Sequence, residues 1–228
     1  MIRLYSTLER ALVDFIPREE GKVGFYVCGP TVQSAPHVGH GRSAVAFDVM
    51  RRYLQWRGYD VTFVRNVTDV EDKIIEKAAE AGEDIGSYAR RMEKSFSEGY
   101  RRLGATDPDV EPRATEHISQ MQELIAALLK RGFAYQEGED VYFSVRADED
   151  YGKLSRRDLE EMRSGTRIEP NEAKRDPLDF ALWKGAKPGE PTWDSPWGPG
   201  RPGWHIECSA MSRQYLGDGF DLHAGGAD

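Results

Sequence analysis

The pattern of hydrophobic and polar positions in the first third of the chain predicts a strand, a helix and a second strand. Residues 23–27 (Val-Gly-Phe-Tyr-Val) form a short apolar run typical of a buried strand. From Gly41 to Arg57 apolar residues recur at helical spacing, and Gly58 follows as a helix stop. Residues 60–66 are again β-branched, so we expect a βαβ unit and a parallel sheet. The apolar positions predicted to form the packing face of the helix are Val45, Val49, Tyr53 and Trp56.

The rest of the chain alternates between helical and antiparallel patterns. A break is expected at Ala105-Thr106-Asp107-Pro108, which is rich in turn-forming residues. Between residues 148 and 177 the chain is rich in charge, and between 185 and 203 Pro and Gly dominate, which predicts an inserted subdomain and a long returning loop. The predicted elements are helices over 70–81, 84–103, 118–132 and 204–216, a hairpin of 133–135 with 141–143 across Gly138, and a strand over 220–223.

Composition and charge exclude several classes of protein. The chain has 228 residues, a net charge of −8 and 39% hydrophobic residues, which is normal for a globular protein and argues against general affinity for nucleic acid. The longest apolar run, Leu124 to Leu129, is far short of the roughly 20 residues of a membrane-spanning helix. The N-terminus lacks the apolar segment of a secretory signal. We therefore expect no membrane segment and a cytoplasmic protein.

The tetrapeptide His37-Val38-Gly39-His40 is the first candidate for chemistry. It lies where a strand feeds the N-terminus of a helix, so backbone amides, the helix dipole and two imidazoles converge on one edge. Such an edge can bind a triphosphate, and Gly39 lets a flat nucleotide approach the backbone. Two ordinary surface histidines are an equally good interpretation of the tetrapeptide alone.

The two cysteines, Cys28 and Cys208, are 180 residues apart and form neither a disulfide framework nor a short zinc-binding motif. Taken without further context, two buried structural cysteines are the favoured interpretation.

Longer motifs change both interpretations. Five motifs follow one another along the chain: residues 26–32 (Tyr-Val-Cys-Gly-Pro-Thr-Val), the histidine tetrapeptide, residues 65–73 (Arg-Asn-Val-Thr-Asp-Val-Glu-Asp-Lys), residues 203–211 (Gly-Trp-His-Ile-Glu-Cys-Ser-Ala-Met) and residues 220–228 (Phe-Asp-Leu-His-Ala-Gly-Gly-Ala-Asp). Together they resemble the cysteinyl-tRNA synthetases, a family of class I aminoacyl-tRNA synthetases, along essentially the whole chain. The tetrapeptide resembles the class I "HIGH" signature with Val in place of Ile. The chain departs from many members at Gln33, where they carry Tyr.

The resemblance implies an α/β fold with a Rossmann-like core of parallel strands, formed by residues 1–112 and 178–228 and interrupted by a connective insertion at 113–177. It implies ATP-dependent activation of L-cysteine and transfer of the cysteinyl group to tRNA(Cys). The partners are then L-cysteine, ATP and tRNA(Cys), and we expect a monomer. A strand followed by two glycines and an aspartate is typical of the start of a ligand loop. We therefore expect a fragment, with half of a zinc site and half of an ATP site, that binds zinc weakly and does not aminoacylate.

The resemblance also assigns residues. Cys28 and Cys208 would bind one Zn²⁺, with a His and a Glu expected beyond Asp228, and Mg²⁺ would accompany ATP. Zinc prefers thiolate, so a zinc site distinguishes cysteine from serine without editing. His37 and His40 would be catalytic. The residues implied in ATP binding are Thr31, His37, Gly39, His40, Gly225 and Gly226, and those implied in substrate binding are Gly29, Thr31, Ser43, Asn66, Thr68, Trp204 and Asp228.

Plainer interpretations and rival functions remain open. Thr68 is equally a candidate cap for the helix predicted from Val70, Trp204 a candidate core residue, and Gly225 with Gly226 a simple turn. The rival functions are a mycothiol-pathway cysteine ligase that uses an amino sugar as acceptor, a catalytically silent binding fragment, and an unrelated nucleotidyltransferase that shares only the histidine signature.

Overall fold

The computed structural model describes residues 2–156 and 174–226. The chain divides into two compact units, one formed by Pro17–Met121 with Ile206–Asp228 and the other by Met1–Ile16 with Gln122–His205. The core and insertion limits predicted from the sequence stay a prediction. Part of the charged segment at 148–177 lies outside the described residues.

The described residues contain strands and helices whose bounds follow. The strands are β1 (Arg3–Ser6), β2 (Ala11–Asp14), β3 (Lys22–Val27), β4 (Asp60–Arg65), β5 (Ala134–Glu137), β6 (Asp140–Phe143), β7 (Phe180–Gly185), β8 (Gly200–Pro202) and β9 (Leu222–Ala224). The α-helices are α1 (Val38–Trp56), α2 (Asp72–Ala81), α3 (Ile85–Arg102), α4 (Ile118–Lys130) and α5 (Trp204–Leu216), with short 3-10 turns at Ala114–Glu116 and Val145–Ala147.

The predicted βαβ unit is confirmed by β3, α1 and β4. In the first unit β3 is the central strand of a parallel sheet in the order β4-β3-β9, so the α/β fold class with a parallel sheet is also confirmed. The parallel pairing of β3 and β4 continues beyond the ends of the strands, where an isolated β-bridge joins Thr31 to Thr68. Parallel strands end at one edge of the sheet. The residues after β3, β4 and β9 are therefore neighbours there.

The packing face predicted for α1 is wrong. Val49, Tyr53 and Trp56 are exposed, and the helix buries its opposite side instead. That side includes the charged residues Asp48 and Arg51, which are hydrogen-bonded to the segment at 104–109. Hydrophobic periodicity depends only on the positions of apolar side chains, so it does not predict a buried helix face that is half polar.

The capping residues explain where the helices begin. The α1 helix begins at Val38, three residues before the predicted start, because His37 caps it. Asp84 caps α3 by accepting from the Ser87 amide. Glu71 caps α2 by accepting from the Lys73 amide, so the interpretation of Thr68 as the cap of this helix is wrong.

The second unit contains a four-stranded antiparallel sheet in the order β5-β6-β7-β8. The predicted hairpin is confirmed as β5 and β6, with Gly138 in the turn at a φ of +63°. The segment predicted as a long loop contains β8, which pairs with β7, and Trp193 bridges Gly200 beyond it. Short strands rich in Gly and Pro carry no alternation, which is why the sequence does not predict them. Across the described ranges, no helix has the length and apolar content needed to cross a membrane.

Candidate active site

The carboxyl edge of the parallel sheet brings residues from three distant segments together. Cys28 follows β3, and its backbone amide donates to the Ala224 carbonyl at 2.9 Å. Its Sγ lies 3.3 Å from Nε2 of His223, which is on β9. On the other side, Asn66 follows β4 and its Oδ1 accepts from the Gly29 amide at 2.9 Å.

Cys208 reaches the same edge from α5. Its Sγ lies 3.6 Å from Asn66 Oδ1. The pKa of the Cys208 thiol is raised, first by its hydrogen bond with Cys28 and then by burial. The fold therefore brings together two cysteines that are 180 residues apart in the sequence.

Three residues at this site were not singled out by the sequence analysis. His223 touches Cys28 as described above. Glu207 is fully buried and its Oε2 accepts from the Thr68 hydroxyl at 2.7 Å. Tyr26 is fully buried on β3, two residues before Cys28. That spacing is a signal the sequence does carry, since residues i and i+2 of a strand point to the same face.

Asn66, Thr68, Gly29 and Thr31 hold the loop after β3 in place. Asn66 and Thr68 are buried, and their side chains lie 3.5 Å apart. A Cβ at Gly29 would lie 1.6 Å from the Asn66 carbonyl oxygen, so only glycine fits. Thr31 is half-buried beside Thr68. The direct substrate contacts predicted for these residues stay a prediction.

His37 and His40 form the N-terminal cap of α1. Nδ1 of His37 accepts from the Gly39 amide at 3.1 Å, and Nδ1 of His40 accepts from the His37 amide at 3.2 Å. The two rings stack with their centroids 3.8 Å apart. A Cβ at Gly39 would lie 2.8 Å from the His37 ring, so a larger residue there would displace the ring from its capping position. The approach of a nucleotide to Gly39 stays a prediction.

The hydrogen bonds of this cap determine which ring nitrogen carries the proton when each imidazole is neutral. Because Nδ1 accepts a hydrogen bond, the proton of the neutral imidazole is on Nε2, which then is a donor. Burial, and then the charge of His37, lowers the pKa of His40 below its ordinary value. Two Nε2–H donors at a helix N-terminus form a suitable partner for a phosphate group.

We expect the stability that His40 contributes to decrease as the pH falls from 8 to 5. A lowered pKa means that the folded state favours the neutral ring. The contribution is therefore complete above the unfolded value of about 6.5 and is lost as the pH falls towards the lowered pKa. Urea unfolding of the native chain and of His40→Asn, which retains an acceptor, measures the difference at each pH. A difference that is the same at pH 8 and pH 5 would contradict this cause of the shift.

The other predicted residues are placed as follows. Ser43 lies on the exposed side of α1. Trp204 is the first residue of α5 and is 43% exposed, which excludes the interpretation as a core residue. Gly225 and Gly226 are exposed after β9. Asp228 lies outside the described residues.

The side chains at the cysteines are of the types that bind a metal that prefers sulfur. Two thiols and an imidazole lie at this edge, and the imidazole nitrogen is 3.3 Å from the sulfur of Cys28. A Cβ at Gly225 would lie 3.3 Å from the Cys28 Cβ and 3.6 Å from its Sγ, so glycine keeps the space beside this sulfur open. Within residues 2–156 and 174–226, no group of three His, Cys, Asp or Glu side chains is arranged to hold a metal ion.

Comparison with known proteins gives one consistent family. Residues 14–228 match the family model for the catalytic domain of class I (C) tRNA synthetases. Over the whole chain, the identity is 55% to the cysteine–tRNA ligase of Syntrophobacter fumaroxidans, 57% to that of Stutzerimonas stutzeri and 54% to that of Pyrococcus abyssi. The chain covers 46%, 50% and 48% of these relatives, so it spans about half of their length.

A solved structure supports the fold. The methionyl-tRNA synthetase of Mycobacterium tuberculosis bound by methionyl-adenylate superposes with a TM-score of 0.63 at 16% identity. The match covers 86% of this chain and 48% of that protein. At this identity the likeness concerns the class I synthetase fold alone.

Proposed function

The chain belongs to the cysteinyl-tRNA synthetase family of class I synthetases, and from this premise we propose that it carries catalytic machinery that activates L-cysteine with ATP and transfers the cysteinyl group to tRNA(Cys). One observation carries the proposal beyond the family name. The two cysteines meet at the carboxyl edge of the parallel sheet, in the unit that also contains the histidine cap of α1. Nucleotides bind at this edge in α/β folds of this type.

In the proposed activation step, a carboxylate oxygen of cysteine attacks the α-phosphorus of ATP, and pyrophosphate leaves with the bonding electrons. The step needs no side-chain nucleophile. The Nε2–H groups of His37 and His40 and the first amides of α1 would stabilise the charge on the phosphates, and Mg²⁺ would accompany ATP. Thr31, Gly39, Gly225 and Gly226 are proposed to line the ATP site.

Cys28 and Cys208 would hold a zinc ion, which when bound supplies a soft Lewis acid that prefers a thiolate to a hydroxyl. The role of the protein would be to hold the zinc-binding cysteines in fixed positions. Asn66 and Thr68 fix the segment that bears Cys28, and Glu207 anchors Thr68 from α5. A zinc ion held by the two sulfurs would bind the cysteine substrate in preference to serine, because the serine hydroxyl is not a soft donor.

The substrate-facing roles of Gly29, Ser43, Trp204 and Asp228 belong to the proposal as well. The Gly29 amide is already held by Asn66, so Gly29 would act mainly by allowing the close approach of two backbone segments. A cytoplasmic location and a monomeric state complete the proposal.

Charging of tRNA(Cys) with radiolabelled cysteine tests the proposed function. We expect charging by a version of the chain lengthened to the span of its relatives, and none by the 228 residues alone. Cysteine transferred to an amino sugar but not to tRNA would replace the proposed acceptor. Robust charging by the 228 residues alone would contradict the prediction that they hold only half of the zinc and ATP sites.

A further inference from the structure

The two histidines that cap α1 have different surroundings. His37 is exposed, and its ring stacks on that of His40 with the centroids 3.8 Å apart. His40 is half-buried and also meets the ring of Phe96 on α3, with the centroids 4.9 Å apart and the ring planes inclined at 64°. Inclined ring pairs of this kind are favourable beyond the area that they bury. The orientation of His40 therefore depends on a side chain from another helix, far away in the sequence.

Phe96 is itself fixed by the buried cluster around α3. It is 2% exposed, and its ring meets that of Tyr100 with the centroids 5.8 Å apart. The same cluster includes Val32, from the loop that leads from β3 to α1. A side chain in such a close-packed place has little freedom to move. Phe96 therefore gives His40 a fixed surface to pack against.

The α3 helix also contacts the loop that precedes the histidine cap. The Tyr88 hydroxyl donates to the Gln33 carbonyl at 2.8 Å. A Cβ at Gly99 would lie 3.3 Å from Cγ of Pro36, so the backbone of α3 comes close to the loop there. With the ring contact at His40, α3 supports this segment at three successive places. The cap is thus held from outside its own helix.

We propose that Phe96 is a positioning residue that holds the ring of His40 in the orientation in which Nδ1 caps α1 and Nε2–H is available to a phosphate group. The inference rests on the proposed function, in which this group stabilises charge on ATP. A half-turn of the imidazole about its Cβ–Cγ bond exchanges the places of Nδ1 and a ring carbon, which breaks the hydrogen bond from the His37 amide. Either ring nitrogen can then carry the proton. Packing against Phe96 opposes this rotation, because the turning ring meets a neighbour that cannot move aside.

Nuclear magnetic resonance of the 228-residue chain with ¹⁵N-labelled histidine tests the proposal, because the nitrogen shifts report which ring nitrogen carries the proton. Spectra are recorded from pH 5 to pH 8 for the native chain, Phe96→Leu and Phe63→Leu. The His40 signals are assigned by their loss in His40→Asn. Phe63 is the matched control, since it is a second buried phenylalanine of the same unit and its ring has an inclined aromatic neighbour, Phe25.

The expected change is confined to the variant that loses the ring beside His40. Burial, and then the charge of His37, lowers the pKa of His40, while α3 meets its ring with an uncharged side chain. In the native chain we expect the proton on Nε2 at pH 8 and a titration midpoint below about 6.5. In Phe96→Leu the two nitrogen shifts of His40 are expected to approach each other, as in a mixture of tautomers. The midpoint is expected to rise towards about 6.5, because the freed ring is more exposed to water. Phe63→Leu is expected to leave both readings unchanged.

The same variants separate positioning from substrate binding in a version of the chain lengthened to the span of its relatives. We expect Phe96→Leu to lower kcat for ATP–pyrophosphate exchange about 10-fold, because a misplaced donor stabilises the transition state less well. The KM for cysteine is expected to stay the same. Absence of exchange in the native lengthened chain, with the His40 shifts as expected, would overturn the proposed function and leave the positioning of His40 standing.

Three results would overturn the role of Phe96. The first is a native His40 with its proton on Nδ1 at pH 8, or His40 shifts and a midpoint that are unchanged in a folded Phe96→Leu. The second is an equal change in Phe63→Leu, since any loss of core packing would then disturb the cap. If Phe96→Leu does not fold, Phe96→Met takes its place, because its flexible side chain fills a similar space without a ring. The third is loss of the folded state in both, which would show that Phe96 acts only through the fold.

Discussion

Replacement of Arg51 by alanine is expected to destabilise the unit around the parallel sheet by about 3 kcal/mol, the upper end for loss of hydrogen bonds that involve a charged group. The guanidinium is buried, donates to the Asp107 carbonyl at 2.7 Å and to Asp109 Oδ1 at 2.6 Å, and lies over the Phe63 ring. Its removal takes away the donor of both acceptors and the contact with Phe63, while water reaches Asp109, whose side chain is 40% exposed. For a chain of this length the loss corresponds to a decrease of about 6–12 °C in the melting temperature.

The neighbouring residue Arg52 is the matched control. It lies on the same helix and pairs with Asp48 at 2.6 Å, but its side chain is 52% exposed. We expect Arg52→Ala to change the free energy of unfolding by at most about 1 kcal/mol, because the guanidinium is exposed and the buried Asp48 keeps its hydrogen bonds from the amide and hydroxyl of Thr106. Urea unfolding of both variants provides the comparison. Equal effects at the two positions would show that the buried polar face does not anchor α1.

Replacement of Gly29 by alanine is expected to destabilise the chain by about 3 kcal/mol, at the upper end for an added methyl group in a packed place. The new Cβ would lie 1.6 Å from the carbonyl oxygen of Asn66 and 2.7 Å from its carbon. These are backbone atoms, so no rotation of a side chain relieves the clash. The segment after β3 must move and carry Cys28 with it, so metal binding is expected to weaken together with stability.

Gly86→Ala is the control for this change. Gly86 is in the first turn of α3, and its added Cβ would meet only side-chain ends, that of Arg90 at 3.2 Å and Asp84 Oδ2 at 3.4 Å. Alanine favours a helix over glycine by about 1 kcal/mol, so this variant is expected to be as stable as the native chain or slightly more stable. Thermal unfolding of both variants measures the contrast. A Gly29→Ala variant that melts with the native chain would contradict the geometry of the loop.

The parts of the fold that were predictable from the sequence are those in which one physical signal dominates. The run from Val23 to Val27, the helix that ends before Gly58 and the hairpin around Gly138 each combine periodicity with a stop or turn residue. The helix over 204–216 was predicted with the bounds that the structure shows. In each case local preference and burial agree, so the sequence alone is sufficient.

The errors arise where polar contacts replace apolar ones. The buried face of α1 is held by Asp48 and Arg51, whose partners are more than 50 residues away in the chain. Hydrophobic periodicity reports neither these partners nor the burial of charge. The strand β8 is short and rich in Gly and Pro, and its existence depends on pairing with β7, a contact between segments that no local pattern reports.

The candidate site was predicted in its residue types but not in its supporting contacts. The resemblance identified Cys28, Cys208 and the two histidines. It did not identify the Glu207 carboxylate behind Thr68 or the His223 imidazole beside Cys28. Those roles depend on which side chains meet at the sheet edge, and only the assembled fold determines that.

The most direct test of the central claim is ATP–pyrophosphate exchange with cysteine and with serine, measured on a version of the chain lengthened to the span of its relatives. Cys28→Ala is the decisive variant, and Ser209→Ala, an exposed position on α5, is its control. We predict exchange with cysteine but not with serine, abolished by Cys28→Ala and retained in Ser209→Ala. Equal exchange with cysteine and serine, or full exchange in Cys28→Ala, would contradict recognition of cysteine at the pair of sulfurs.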